Sequence, residues 1–282
     1  MRLFYLNTFL LLLLSCGDIV DAEPIKKNLP GYTYRWNFEL LKDSPLEIYL
    51  AQDLVDLLPE ELDDKDGLNL IEQMADVWNK GHPELDFFAL PFIRSENKDY
   101  TNLQDFQDDE IGIYPSYGWY KNLSTRSLAI TQFFGTKKSL ANGKIIVELA
   151  HADIIINFRN FKYSIGQNKE KLYDLLTVLL HEMGHMIGLP HPRGERLGKG
   201  IMSRTLGKEE VKRRLEPADM FLLMDSYPIE ETKYLYDLPD YRDPLNLLVD
   251  PPLERFIIEL MEDGHKHYHE NGKFLSCDEN IH

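Results

Sequence analysis

The sequence predicts a mixed α/β domain, and three observations carry that prediction. Five segments rich in β-branched and aromatic residues alternate with polar turns, three stretches repeat apolar residues at helical spacing, and 282 residues at 43% hydrophobic content suffice for one packed core. At about 150 residues per domain, this length allows one elaborated domain or one domain with appendages. With 28% charged residues, 17 Gly and 15 Pro, the composition excludes collagen-like, coiled-coil and disordered chains. A net charge of −16 repels phosphate backbones and anionic lipid, so nucleic-acid binding is not expected. Two cysteines, Cys16 and Cys277, near opposite ends, form neither a disulfide scaffold nor a CxxC metal site.

The chain opens with Arg2 and an apolar stretch ending in Leu10 to Leu14, too short to cross a bilayer as a helix. Residues 1–15 are expected to be a signal peptide. The following Leu13-Leu14-Ser15-Cys16-Gly17 resembles a bacterial lipobox, which implies cleavage before Cys16 and a lipid on its sulfur. Val20-Asp21-Ala22 offers an alternative cut that would simply release the chain. Either way the protein is expected outside the cytoplasm, with membrane contact only through Cys16. Residues 16–33 carry no hydrophobic period and are expected to be a tether.

The folded part is expected to begin near Tyr34. Leu46 to Leu50 is strand-like, and Leu70, Ile71, Met74, Ala75 and Trp78 mark an amphipathic helix that Gly81 stops. Leu85 to Ile93, Ile111 to Tyr117, Ser127 to Phe134 and Ile145 to Phe158 supply four more strands. From Lys169 to Ile187, Leu172, Leu175, Leu176, Leu179 and Met183 define a second helix, broken at Gly188-Leu189-Pro190. A third helix is expected from Pro217 to just before Pro228. Residues 228–282 are acidic and proline-bearing, with one short helix candidate at Leu253 to Met261, and are expected to be an extension rather than a second domain. His265, His267 and His269 alternate there as a solvated tail with weak metal-binding capacity, and His151 is expected to be structural.

Chemistry concentrates in the second helix, at His181-Glu182-Met183-Gly184-His185-Met186-Ile187-Gly188-Leu189-Pro190-His191. Residues four apart share a helix face, so His181 and His185 can reach one ion. Gly188 permits a sharp helix end that returns His191 as a third ligand. Three protein ligands with one open position distinguish a catalytic zinc from a closed structural one. Glu182 stands beside the first ligand, placed to take a proton from an attacking water and pass it to a leaving amine. The full pattern arises by chance in on the order of one chain in 10⁴ to 10⁵ of this length at average residue usage. Asp18 and Asp21 are weaker zinc-ligand candidates for a latent form.

These residues resemble the metzincin zinc endopeptidases, whose long motif is followed by a methionine turn, matched here by Gly200-Ile201-Met202-Ser203. Among metzincins the chain looks most like the matrixins, over about residues 34–227. Ser127-Leu128-Ala129-Ile130-Thr131, Ala152-Asp153-Ile154-Ile155-Ile156-Asn157 and Leu215 to Asp219 add to the likeness. The resemblance implies a twisted five-stranded sheet, mostly parallel with one antiparallel edge strand, and one catalytic zinc on His181, His185 and His191. Glu182 would be the base, and Met202 a hydrophobic floor. Ser127 to Phe134 would be the exposed edge that pairs with an extended polypeptide substrate, and Ser203 to Leu215 would wall the adjoining pocket. The chain is expected to act as a monomer.

Two departures narrow this likeness. Pro192 follows His191 where matrixins usually carry serine, and Arg204 replaces the tyrosine ligand position of serralysins. Neither the loops of further metal sites nor a thiol-bearing propeptide motif has an obvious counterpart. A different class of function, an exported zinc-binding lipoprotein that binds without catalysis, has no use for Glu182.

Overall fold

The computed structural model describes residues 32–139, 145–165, 171–192, 200–203, 206–229, 252–262 and 266–277. The expected leader, Cys16, the tether through residue 31 with Asp18 and Asp21, and His265 lie outside the described residues. The chain runs through β1 (Thr33–Arg35), α1 (Phe38–Asp43), β2 (Tyr49–Ala51), α2 (Gln52–Val55), α3 (Leu70–Asn79), β3 (Ile93–Ser95), β4 (Gly112–Ser116), β5 (Ser127–Ser139) and β6 (Ile145–Asn157). It continues through β7 (Tyr163–Ser164), β8 (Tyr173–Asp174), α4 (Leu175–Met186), α5 (Pro217–Ser226), β9 (Glu254–Met261), β10 (Lys266–Glu270) and β11 (Lys273–Cys277).

Among the described residues, nine strands form one sheet in the order β11-β10-β9-β5-β6-β4-β2-β3, with β1 also on β6. The pairs β1 with β6, β4 with β6, β2 with β4 and β2 with β3 are parallel. From β5 outward the pairing is antiparallel. Four of the five predicted strands are β2, β4, β5 and β6; of Leu85 to Ile93 only Ile93 lies in a strand, β3, while Phe88 makes an isolated parallel bridge with Leu46, and the fold is the mixed α/β type the sequence implies.

Helices α3 and α4 cover one face, where Trp78, Leu179, Leu180 and Met183 meet Phe133, Ile154 and Ile156. Asn69 caps α3, accepting from the Ile71 and Glu72 N–H groups while Glu72 returns a bond to the Asn69 N–H. Helix α4 starts at Leu175, later than the predicted Lys169 region, because the Asp174 side chain caps the Thr177 N–H and Arg213 neutralises that carboxylate. On the other face Ile130, Ile155 and Ile257 pack with Leu103, Phe106 and Tyr114. His151 is structural there, its Nε2 lying 2.8 Å from the buried Asp153 carboxylate. Burial pushes the Asp153 carboxyl up; it pulls His151 down, but the bond and charge of Asp153 outweigh it and hold the imidazole above its ordinary value.

The C-terminal residues depart from expectation. Leu253 to Met261 is not a helix: Glu254–Met261 is strand β9, antiparallel to β5 on one side and β10 on the other. Short apolar runs satisfy a buried strand and a buried helix equally, and two hydrogen-bonding neighbours decide the matter. His267 and His269 are not on a solvated tail but in β10, with His269 buried. Strand β5 is consequently not an exposed edge, because β9 is bonded to it from Ser127 to Gly135. These three strands belong to the same compact unit, Gly31–His282, as the rest of the fold. No helix among the described residues is long and apolar enough to cross a membrane.

Candidate metal centre and active site

Helix α4 delivers His181, Glu182 and His185, and the way it ends delivers His191. Gly188 adopts φ +88°, the Gly188 N–H bonds to the His185 carbonyl, and the Leu189 N–H reaches back to the Gly184 carbonyl. That is a Schellman turn, and it reverses the chain sharply enough to face His191 toward the helix. A side chain at position 188 would meet the Tyr34 carbonyl oxygen at 2.3 Å, so glycine is required twice over. The last helical carbonyls are capped from outside: Trp36 Nε1 donates to Met186 O, and the Tyr227 hydroxyl to Ile187 O.

The three imidazoles converge. Their ring centroids lie 4.4 to 5.1 Å apart, His181 Nε2 is 3.1 Å from His191 Nε2, and all three rings are buried. Outer nitrogens are held in each case. His181 Nδ1 is 2.7 Å from Ile201 O, His185 Nδ1 is 2.8 Å from Leu189 O, and His191 Nδ1 is 3.2 Å from the Tyr268 hydroxyl. An Nδ1–H given to a carbonyl leaves the Nε2 lone pair facing inward, the tautomer a metal requires. Three neutral imidazoles on one centre are a zinc donor set, so the residues present fit the ion.

Beneath this centre, Met202 is fully buried with its sulfur against the helix turn between His181 and His185. A Cβ on Gly184 would lie 2.3 Å from that sulfur and 2.8 Å from the Trp78 ring, so the glycine lets the methionine turn close on the helix. Beside it, the Thr131 hydroxyl of β5 donates to Glu182 Oε2, tying the carboxylate to the sheet. On the side facing β9 and β10, Tyr34, Phe133, Ile258 and Tyr268 line a small cavity with His185 and His191.

A family model describing the matrixins matches residues 56–227, more than half of the chain. The chain belongs to the matrixin family. No curated protein matches it. Matrixins are zinc-dependent peptidases, so this matrixin is a zinc metallopeptidase by family, its substrates are polypeptides, and its buried His181, His185 and His191 group is where the ion fits.

Three residues around the site escaped sequence reasoning. Thr131 stands inside the Ser127 to Thr131 likeness, but nothing in the spacing ties it to Glu182. Asp219 lies in the Leu215 to Asp219 likeness, and its carboxylate accepts the N–H groups of Ile201, Met202 and Glu216, each at 2.9 Å. Tyr268 was legible in principle, since the alternation His267-Tyr268-His269 has the period of a strand that sends the tyrosine to the face opposite the histidines. On that opposite face a second group forms. Glu259, His267 and His269 bring ligand atoms within 4.8 Å of one another, with His269 Nε2 2.5 Å and His267 Nδ1 3.6 Å from Glu259 Oε1. Burial opposes ionisation of Glu259, but bonds from His267, His269 and Ser127 outweigh it and hold the carboxyl at about 2.

Proposed function

We propose that this matrixin is an endopeptidase in which His181, His185 and His191 hold the catalytic zinc and Glu182 is the general base and then the general acid. The observation that carries this reading is the convergence of three buried, outward-anchored imidazoles with the Glu182 carboxylate one residue from the first of them. Zinc bound there supplies Lewis acidity toward the scissile carbonyl and lowers the pKa of the attacking water. Glu182 takes the proton from that water and delivers it to the departing amine. Thr131 holds the carboxylate through one oxygen and so limits its rotation while it does so. Changing Glu182 to Gln keeps shape and removes the base. Turnover of casein or of a peptide library should fall by about 10²- to 10⁴-fold while zinc content persists. Turnover within twofold of the parent would overturn the assignment.

The same reading places the enzyme outside the cytoplasm as a monomer, carrying a lipid on Cys16. Its support is the apolar run Leu10 to Leu14 leading into Ser15-Cys16-Gly17. Palmitate labelling of the parent chain in a bacterial host, lost in Cys16→Ser, is the expected result. Label retained in the variant would refute the anchor.

A further inference from the structure

We propose that Glu259, His267 and His269 form a second metal site, for zinc or a similar borderline divalent ion, on the face of the β9 and β10 ribbon turned away from His191. Register places His267 directly across from Glu259, and His269 follows two residues on, so all three project to the same face. Two imidazoles and one carboxylate suit zinc and its neighbours rather than magnesium or calcium, which prefer oxygen alone. Ligands about 2.0 to 2.2 Å from zinc stand roughly 3.3 Å from one another. The separations of 2.5 and 3.6 Å from Glu259 Oε1 bracket that value, and small side-chain adjustments reach it. The other carboxylate oxygen is already oriented, since Glu259 Oε2 accepts the Ser124 N–H at 3.0 Å and the Ser127 hydroxyl. Supporting donors of this kind, which aim a ligating carboxylate, are a regular part of built metal sites. Phe274 packs edge-on against both imidazoles, 5.3 and 5.7 Å away, and restricts their rotation.

Metal counting on the full chain tests the site without reference to catalysis. Wild type should carry two zinc ions, His267→Ala one, and the His181→Ala/His185→Ala double variant one. Folding of each variant is checked by circular dichroism. His267 is the ligand to change because it is partly exposed and its loss leaves the Glu259 and His269 bond intact. A wild-type chain with a single zinc, a His267→Ala chain that keeps two, or a folded double variant that keeps none would each overturn the proposal.

A separate set of contacts, on the opposite face of the ribbon, carries a second inference that rests on the peptidase reading. We infer that β9 and β10 are a cover over the zinc centre, seated where an extended substrate would add to the sheet. Strand addition needs an open edge, and the edge of β5 beside Thr131 and Glu182 is taken by β9, antiparallel, over Ser127 to Gly135. Ile258 and Tyr268 line the cavity at His185 and His191, and the Tyr268 hydroxyl meets His191 itself. Polypeptide reaching the zinc by that route must displace the ribbon. Besides the β5 ladder, ion pairs tie down its two ends: Lys137 bridges Glu254 and Glu270, and Arg126 pairs with Glu262.

A cross-link distinguishes a removable cover from a permanent wall. In a Cys277→Ser background, Arg126→Cys/Glu262→Cys joins neighbouring backbones that already share the Glu262 N–H to Arg126 O bond. Association of a zinc-directed peptide hydroxamate is then followed in the oxidised and reduced forms, and in Lys137→Ala, where both anchors at the other end are lost. Oxidation should slow association at least tenfold, reduction should restore it, and Lys137→Ala should accelerate it. Equal rates in all forms would overturn the cover. Hydroxamate binding in Lys137→Ala without cleavage of any polypeptide would instead overturn the peptidase reading and leave the cover standing.

Discussion

Asp219 receives the backbone of Met202: its fully buried carboxylate accepts the Met202 N–H at Oδ1 and those of Ile201 and Glu216 at Oδ2, each at 2.9 Å, the Met202 and Ile201 bonds buried and the Glu216 bond partly so. The first turn of α5 therefore holds the methionine turn in shape. That turn in turn presents the Ile201 carbonyl to His181 Nδ1, so one carboxylate links α5 to the first ligand of the metal centre.

Replacing Asp219 by Ala should be among the most damaging single changes away from the ligands. It strands two buried N–H donors, those of Ile201 and Met202, each costing roughly 1 to 3 kcal/mol when left without an acceptor, and also removes the helix-capping bond to the Glu216 N–H. With partial relaxation, a loss of about 3 to 5 kcal/mol is expected in urea unfolding. A loss under about 1 kcal/mol would show that the turn holds its shape without Asp219.

Thr131 contributes a single hydroxyl to Glu182, and Val is close to its shape. Thr131→Val should lower kcat by about tenfold, the worth of one hydrogen bond to a charged group, with KM and zinc content nearly unchanged. Thr131→Ser, which restores the hydroxyl, should recover most of the rate. A rise in KM alone, or no recovery with Ser, would assign Thr131 to packing.

Legibility divides along physical lines. His181, Glu182, His185 and His191 could be read because one helix and one glycine-broken turn fix their spacing, so local geometry alone brings them together. Strands β2, β4, β5 and β6 announced themselves by composition between turn residues. The partners Thr131, Asp219 and Tyr268 reach the site from 51, 18 and 77 residues away along the chain, and no periodicity encodes which strand neighbours which. The same gap hid the C-terminal ribbon. Phe256 to Leu260 lacks alternation because both faces are buried, Ile258 toward the helices and Ile257 toward Phe106, and a strand of that kind has no polar face to reveal it.

Tyr268 is the outer partner of the third imidazole, and removing only its hydroxyl isolates that role. Tyr268→Phe should weaken zinc binding by about 10-fold, at the lower end of what outer partners contribute, because His191 Nδ1 loses the oxygen that orients it. Competition with a chromogenic chelator measures the change. An unaltered dissociation constant would mean that packing alone fixes the His191 ring.

Chelation should cost the fold stability as well as activity, because the three imidazoles are buried under Met202, Tyr268 and the Leu189 turn. Zinc binds the assembled site and not the unfolded chain, so at a free concentration 1,000 times its dissociation constant it stabilises by about 4 kcal/mol. For a domain of this size that corresponds to roughly 8 to 16 °C in Tm. Stripping with dipicolinate should lower Tm by this order, and titrating zinc back should restore it with a logarithmic dependence on concentration. The His181→Ala/His185→Ala variant should lose the larger part of that dependence while Glu182→Gln keeps it. A Tm indifferent to zinc in the parent chain would show that the triad folds without an ion to hold and would count against the catalytic reading.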